Sequence, residues 1–113
     1  MLEILYYPEG NRGPVCECLS ELAKKHPKAF ARLAMDLEVL GAEGLRSRQI
    51  TIRPLGGKLW ELKRPYDGVQ YRLFLGVWKD AIWLLHAIEK KSAKTPQDDL
   101  DLARKRLREV MVR

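Results

Sequence analysis

Two turn signals divide residues 59–90 into three strand-like runs, and this stretch dictates most of what the chain can become. Over residues 59–64, Trp60 and Leu62 alternate with Glu61 and Lys63, the period-2 pattern of a half-buried strand. Pro65-Tyr66-Asp67-Gly68 then supplies turn chemistry, since proline fixes φ near the value a turn needs and Asp-Gly readily takes positive φ. Residues 69–77 alternate again, with Tyr71, Leu73 and Leu75 on one side and Gln70, Arg72 and Phe74 on the other. Lys79-Asp80 makes a second turn, and residues 81–88 form an apolar run suited to an inner strand covered on both faces. The spacing predicts a three-stranded antiparallel meander that places Arg72 on a polar-leaning face. So small a sheet is marginal alone and needs a helical layer over its apolar side.

The remaining segments can supply that layer. Residues 2–7 read as a first strand, ended by Pro8-Glu9-Gly10-Asn11. Pro14 sits where a missing N–H costs a helix nothing, and Val15, Leu19, Leu22 and Ala23 then form one apolar stripe. His26-Pro27 breaks this helix, and Pro27 opens a second whose face carries Phe30, Leu33, Leu37 and Leu40, with Gly41 as its expected cap. Residues 42–58 read as a long basic connection with one strand-like piece, marked by a short apolar alternation at Ile50 and Ile52. Thr95 is the expected N-cap of a last helix, Pro96 falls in its first turn, and Leu100, Ala103, Leu107 and Val110 give it an inner face.

At 113 residues the chain is expected to be one domain over residues 1–113 with a single core. Hydrophobic residues at 46% and charged residues at 32% exclude a disordered composition, and no apolar run approaches the roughly 20 residues of a spanning helix. The start Met1-Leu2-Glu3 has no signal-peptide pattern, so a cytoplasmic location is expected. Cys16 and Cys18 point to different faces of a helix, and no second Cys or His pair stands at zinc-site spacing. A net charge of +6 on so small a domain favours a polyanion or an acidic protein as partner.

Taken in order, Leu55-Gly56-Gly57-Lys58-Leu59-Trp60-Glu61-Leu62-Lys63, Tyr71-Arg72-Leu73-Phe74, Leu84-Leu85-His86-Ala87-Ile88-Glu89-Lys90-Lys91 and Lys94-Thr95-Pro96 resemble the RelE/HigB superfamily of toxin proteins, in particular its phage-related branch. The resemblance implies a RelE-like α+β fold ordered β-α-α-β-β-β-α, with a small curved, mainly antiparallel sheet packed against an N-terminal helical hairpin. It also implies the toxin of a type II toxin–antitoxin system, a ribosome-dependent mRNA endoribonuclease. The implied partners are a cognate antitoxin protein, the ribosome and mRNA, with no membrane and no small-molecule cofactor.

Cleavage of this kind requires the 2′-oxygen to attack the adjacent phosphorus, so a proton must be removed, negative charge stabilised and the leaving 5′-oxygen protonated. Arg72 matches the family's Tyr-Arg position, and Lys90 and Lys91 its basic pair; these are the expected catalytic residues. Lys63, Lys94, Arg53 and Lys58 are expected to bind RNA or the ribosome. Glu61 and His86 are the orienting or acid–base candidates, with Glu61 the better fit to holding Arg72, and the sequence offers no carboxylate or histidine cluster for a metal. Each has a plainer reading. Arg72 suits a surface ion pair with Glu61, the lysines suit a solvated strand end, and a histidine in an apolar run is commonly neutral and satisfied by one hydrogen bond. Tyr71, by its parity with Leu73, belongs to the core, while Tyr66 can stack on a base. On a charged face, Arg72→Ala is expected to leave folding intact. Several toxins of the superfamily carry a Tyr or His near the C-terminus for proton transfer, and the tail after Lys94 here has neither. A non-catalytic basic module that binds RNA or protein on the same fold is the alternative, and a phage-derived structural or regulatory protein is a third.

Overall fold

The computed structural model describes residues 1–91 and 94–113. In chain order its elements are β1 (Glu3–Tyr6), α1 (Pro14–Lys25), α2 (Pro27–Glu43), β2 (Thr51–Gly56), β3 (Leu59–Tyr66), β4 (Val69–Trp78), β5 (Ala81–Lys90) and α3 (Gln97–Met111). A short 3-10 turn at Gly44–Arg46 follows α2. Both predicted turns close tight hairpins: Asp67 and Gly68 have φ of 52° and 81°, and Lys79 and Asp80 have φ of 51° and 63°. Positive φ at both central residues gives the turn a twist that matches the strands it joins.

The strands form one mixed sheet in the order β1-β5-β4-β3-β2, antiparallel throughout except that β1 lies parallel to β5. The fold is therefore α+β, as expected, but with one strand more than the predicted order. Residues 51–56, which include the strand-like piece of the basic connection, pair with β3 as the edge strand β2, and Ile52 turns inward to the core. An edge position accommodates Pro54, which has no N–H to donate to a ladder.

Each face of the sheet carries its own core. On one side α1 and α2 cover Leu62, Tyr71, Leu73, Leu75, Ile82 and Leu84 with Val15, Leu19, Leu33 and Leu40. On the other, α3 sets Ala103, Leu107 and Val110 against Leu59, Phe74 and Leu85. This second layer corrects the reading of a sheet with one apolar and one charged face: the side that bears Glu61, Arg72 and Phe74 is roofed by α3. The roof lies close. A Cβ on Gly76 would come within 2.7 Å of Leu107 Cδ1 and 3.1 Å of the Lys58 carbonyl, so a glycine in mid-strand is what admits the helix.

Two other sequence expectations change for similar reasons. Gly41 does not end α2 but lies buried within it, where its carbonyl accepts a 2.8 Å hydrogen bond from the Leu2 N–H and β1 passes alongside. Gly44, with φ of 78°, is the residue that terminates the helix. Asp36 of α2, 4% exposed, accepts a bidentate pair of hydrogen bonds from Arg64 of β3 at 2.7 and 2.6 Å. This fork fixes the helical hairpin to the sheet and holds Arg64 firmly protonated through its hydrogen bonds to Asp36.

Removing one member of a buried pair strands the other charge. Arg64→Ala is expected to lower the unfolding free energy by about 2–3 kcal/mol in urea titrations, below the full cost of a buried pair because Arg64 is partly exposed. The Asp36→Leu, Arg64→Met double variant, which leaves no orphan charge, is expected to recover most of that loss.

Candidate active site

Strand alternation places Glu61 and Lys63 of β3 on the α3 side of the sheet, beside Arg72 of β4, which is the Cα partner of both Lys63 and Ile88. A bulge adds a fourth residue to this face. Phe74 opposes His86 whereas Leu75 opposes Leu84, which makes Leu85 an extra residue in β5. As a result both Leu85 and His86 face α3: Leu85 enters its core, and His86 Nε2 lies 2.7 Å from Asp99 Oδ1 in the first turn of α3. The His86 ring also stacks on Phe74, with centroids 5.9 Å apart.

At the centre stands a sealed ionic cluster. Arg72 and Glu61 are each 1% exposed. Arg72 Nη1 donates to Glu61 Oε2 at 3.1 Å and to the Thr95 hydroxyl at 2.5 Å, and that hydroxyl donates in turn to Glu61 Oε2 at 3.0 Å. Arg53 of β2 reaches the other carboxylate oxygen, its Nε donating to Oε1 at 2.8 Å. Burial by itself would raise the Glu61 carboxyl, but hydrogen bonds from Thr95, Arg72 and Arg53 outweigh it, and the net shift is downward. Glu61 is thus held ionised between two guanidinium groups, which makes it a poor general base and a strong anchor. The structure corrects two expectations here. Arg72 is a core residue and not part of a solvated face, and its ion pair with Glu61 is buried and not superficial, because α3 and the segment leading to it close over both.

The other predicted residues lie around this cluster. Lys63 is half-buried beside it, and Lys90, Lys91 and Lys94 are exposed at the end of β5 and beyond. The basic run from Lys90 to Lys94 includes Ser92 and Ala93, which lie outside the described residues. Lys58 belongs to the opposite end of the β3–β4 hairpin, where its ammonium lies 5.6 Å from the centroid of the Trp78 ring. Tyr71 is buried, 6% exposed, as its parity predicted, and Cys16 and Cys18 are free thiols. Among the described residues no group of three or more His, Cys, Asp or Glu side chains is placed to hold a metal ion, and no helix is long and apolar enough to cross a membrane.

Comparison with known proteins bears on this arrangement through one result. The profile of the family described as Phage derived protein Gp49-like (DUF891) matches residues 17–108. The chain belongs to that family. Gp49-like proteins are a RelE/HigB-like toxin family. No curated protein and no solved structure matches the chain.

In this Gp49-like chain, sequence reasoning found Glu61, Arg72 and His86 but missed the residues that complete them. Thr95 is not the N-cap of α3, a place taken by Pro96; its hydroxyl serves Glu61 and Arg72 instead. Asp99 passes locally for a favourable charge in the first turn of a helix, and its partnership with His86 depends on where α3 docks.

The depressed Glu61 carboxyl links stability to acid. Its folded-state value lies below the ordinary 4.5, so its contribution is complete above that pH and is lost as the pH falls through the folded value. Glu61→Gln is expected to melt at a lower temperature than wild type at pH 7, with the gap narrowing below about pH 4.5. Arg72→Ala, which strands Glu61, is expected to cost about 3 kcal/mol in the same thermal and urea measurements; a wild-type melting curve for Arg72→Ala would show the cluster to be dispensable to the fold.

Proposed function

We propose that this chain is the RelE-like toxin, of HigB type, of a type II toxin–antitoxin pair, and that it cleaves mRNA on the ribosome as an endoribonuclease. The observation that carries the proposal is membership of a RelE/HigB-like toxin family. The α3 side of the sheet supports it by gathering cations and one histidine on a single face. In the cleavage step the 2′-hydroxyl loses its proton and its oxygen bonds to phosphorus. The bond to the 5′-oxygen breaks, that oxygen takes up a proton, and a 2′,3′-cyclic phosphate remains.

The geometry redistributes the roles. Arg72, sealed against Glu61 and Thr95, suits a positioning role more than contact with the substrate. Lys63, Lys90 and Lys91 are the cations that reach solvent and suit contact with phosphate, and Lys94 and Arg53 extend the positive surface. His86 suits the proton transfers, because a ring held through Nε2 by Asp99 keeps Nδ1 for a second partner. An acidic antitoxin segment laid across these cations would neutralise them and block RNA at once.

The burial of Arg72 and Glu61 also favours a second reading, in which the cluster is a structural clamp and the chain a non-catalytic basic module that binds RNA or protein. Ribosome-programmed mRNA cleavage separates the two. Under the enzymatic reading, induced wild-type protein arrests bacterial growth and cuts mRNA on ribosomes. His86→Ala is then expected to slow cleavage by about 10²-fold or more, the scale of general acid–base catalysis. Lys63→Ala and Lys90→Ala/Lys91→Ala are expected to act more on affinity and to flatten its dependence on salt. Wild-type protein that binds RNA but leaves growth and mRNA intact would decide for the module.

A further inference from the structure

The corner between α1 and α2 overhangs the end of the sheet at which the β3–β4 turn and the last residues of β5 project. A solvent-open cleft of about 900 Å³ separates them. Lys25 and Lys28 edge it from the helical corner and Lys90 and Lys91 from β5, against two carboxylates, Asp67 and Glu89. Behind it an adjoining recess of about 300 Å³ shares Lys25, His26, Tyr71 and Glu89 with the cleft and runs in between α1 and the sheet. Leu22, Leu33, Leu73 and Ala87 wall the recess, and Cys18 stands among its lining residues. Arg72 of the α3-side cluster is among the residues that line the recess, whereas Glu61, His86 and Thr95 line neither cavity; the recess meets the central strand from the α1–α2 side of the sheet.

A cationic vestibule that opens onto a small apolar recess has the chemistry of a nucleotide: phosphate outside, heterocycle within. Both volumes lie in the range of small-molecule sites. Lys28 and Lys91 are exposed, and Lys25 makes an exposed ion pair with Glu21 at 3.2 Å, a contact weak enough to exchange for phosphate. The half-buried Tyr66 stands on the cleft wall as an aromatic surface for a base. An acidic peptide would also satisfy the lysines, but it has no flat apolar group that calls for the recess behind them. Single-stranded RNA, whose unstacked bases are free to turn into a pocket, uses both parts.

We propose that this two-part cleft binds single-stranded RNA, with successive phosphates along Lys25, Lys28, Lys90 and Lys91 and one unstacked base in the recess between α1 and the sheet. The proposal rests on the RNA-cleaving reading of the neighbouring face and carries the RNA path past Lys90 and Lys91 round the end of β5 to the helical hairpin.

The test uses the full chain, a labelled single-stranded RNA of about ten nucleotides and fluorescence anisotropy across a salt series. Lys25→Ala/Lys28→Ala is expected to melt like wild type, to bind RNA about tenfold more weakly, and to flatten the log–log salt dependence by about 1.4, the share of two phosphate contacts on a single strand. Cys18→Trp, which fills the recess without changing charge, is expected to weaken binding and leave the salt dependence unaltered. Ribosome assays in parallel are expected to show the Lys25→Ala/Lys28→Ala loss in KM and not in kcat. RNA binding that depends on Lys25 and Lys28 in a protein that never cleaves mRNA would uphold the cleft while the enzymatic reading fell. The proposal is overturned if both variants bind the RNA like wild type, or if a glutamate-rich peptide and not RNA binds in a manner that depends on these two lysines.

Discussion

One buried carboxylate holds three parts of the molecule in register. Glu61 of β3 receives Arg53 from the edge strand β2, Arg72 from the central strand β4 and the Thr95 hydroxyl from the segment leading to α3. Taking these charges out of water is costly, and apolar residues of the same shape could pack as well or better. What the cluster adds is specificity. A slip of one residue in the β3–β4 pairing would turn Glu61 and Lys63 into the core beneath α1 and α2, away from Arg72 and Thr95, so the ion pair penalises the wrong register more than it rewards the right one.

The strands were legible because their periodicity and turn chemistry are local. Asp67-Gly68 and Lys79-Asp80 fall where the turns are, and Tyr71 is buried on the side its parity assigns. The depth of Arg72 was not legible. A charged residue in an alternating strand looks solvated until something is known to cover it, and the cover is α3, which approaches only because Gly76 leaves room for Leu107. The apolar stripe of α3 could be read from sequence; the face of the sheet it docks on could not. The same holds for Gly41, a good helix terminator by composition that is instead the close contact between α2 and the start of β1. Thr95 and Asp99 likewise carry signals for a helix start, and only the tertiary fold diverts Thr95 to the ionic cluster and Asp99 to His86.

The electrostatics of the α3 side follow from this arrangement. Two guanidinium groups share one carboxylate, Arg72 buried and Arg53 largely exposed, and Lys63 stands beside them. A guanidinium held by its carboxylate partner needs little reorganisation when an anion arrives, whereas the ammonium groups at the end of β5 are exposed. The chain therefore joins held cations to exposed ones, and the aromatic and apolar walls at the α1–α2 corner lie next to the exposed lysines of β5.

The parallel pairing of β1 with β5 sets an order of events in synthesis. Ile4 lies opposite Ile82, and Tyr7 donates its N–H to the Leu84 carbonyl, so β1 has no strand to pair with until β5 has left the ribosome. Contacts between chain ends close slowly and late. The α1–α2 hairpin waits as well, because Leu75, Ile82 and Leu84 supply much of the surface it covers. A nascent chain is thus an unfinished sheet until β5 has emerged, and whatever recognises the completed one meets it only after that.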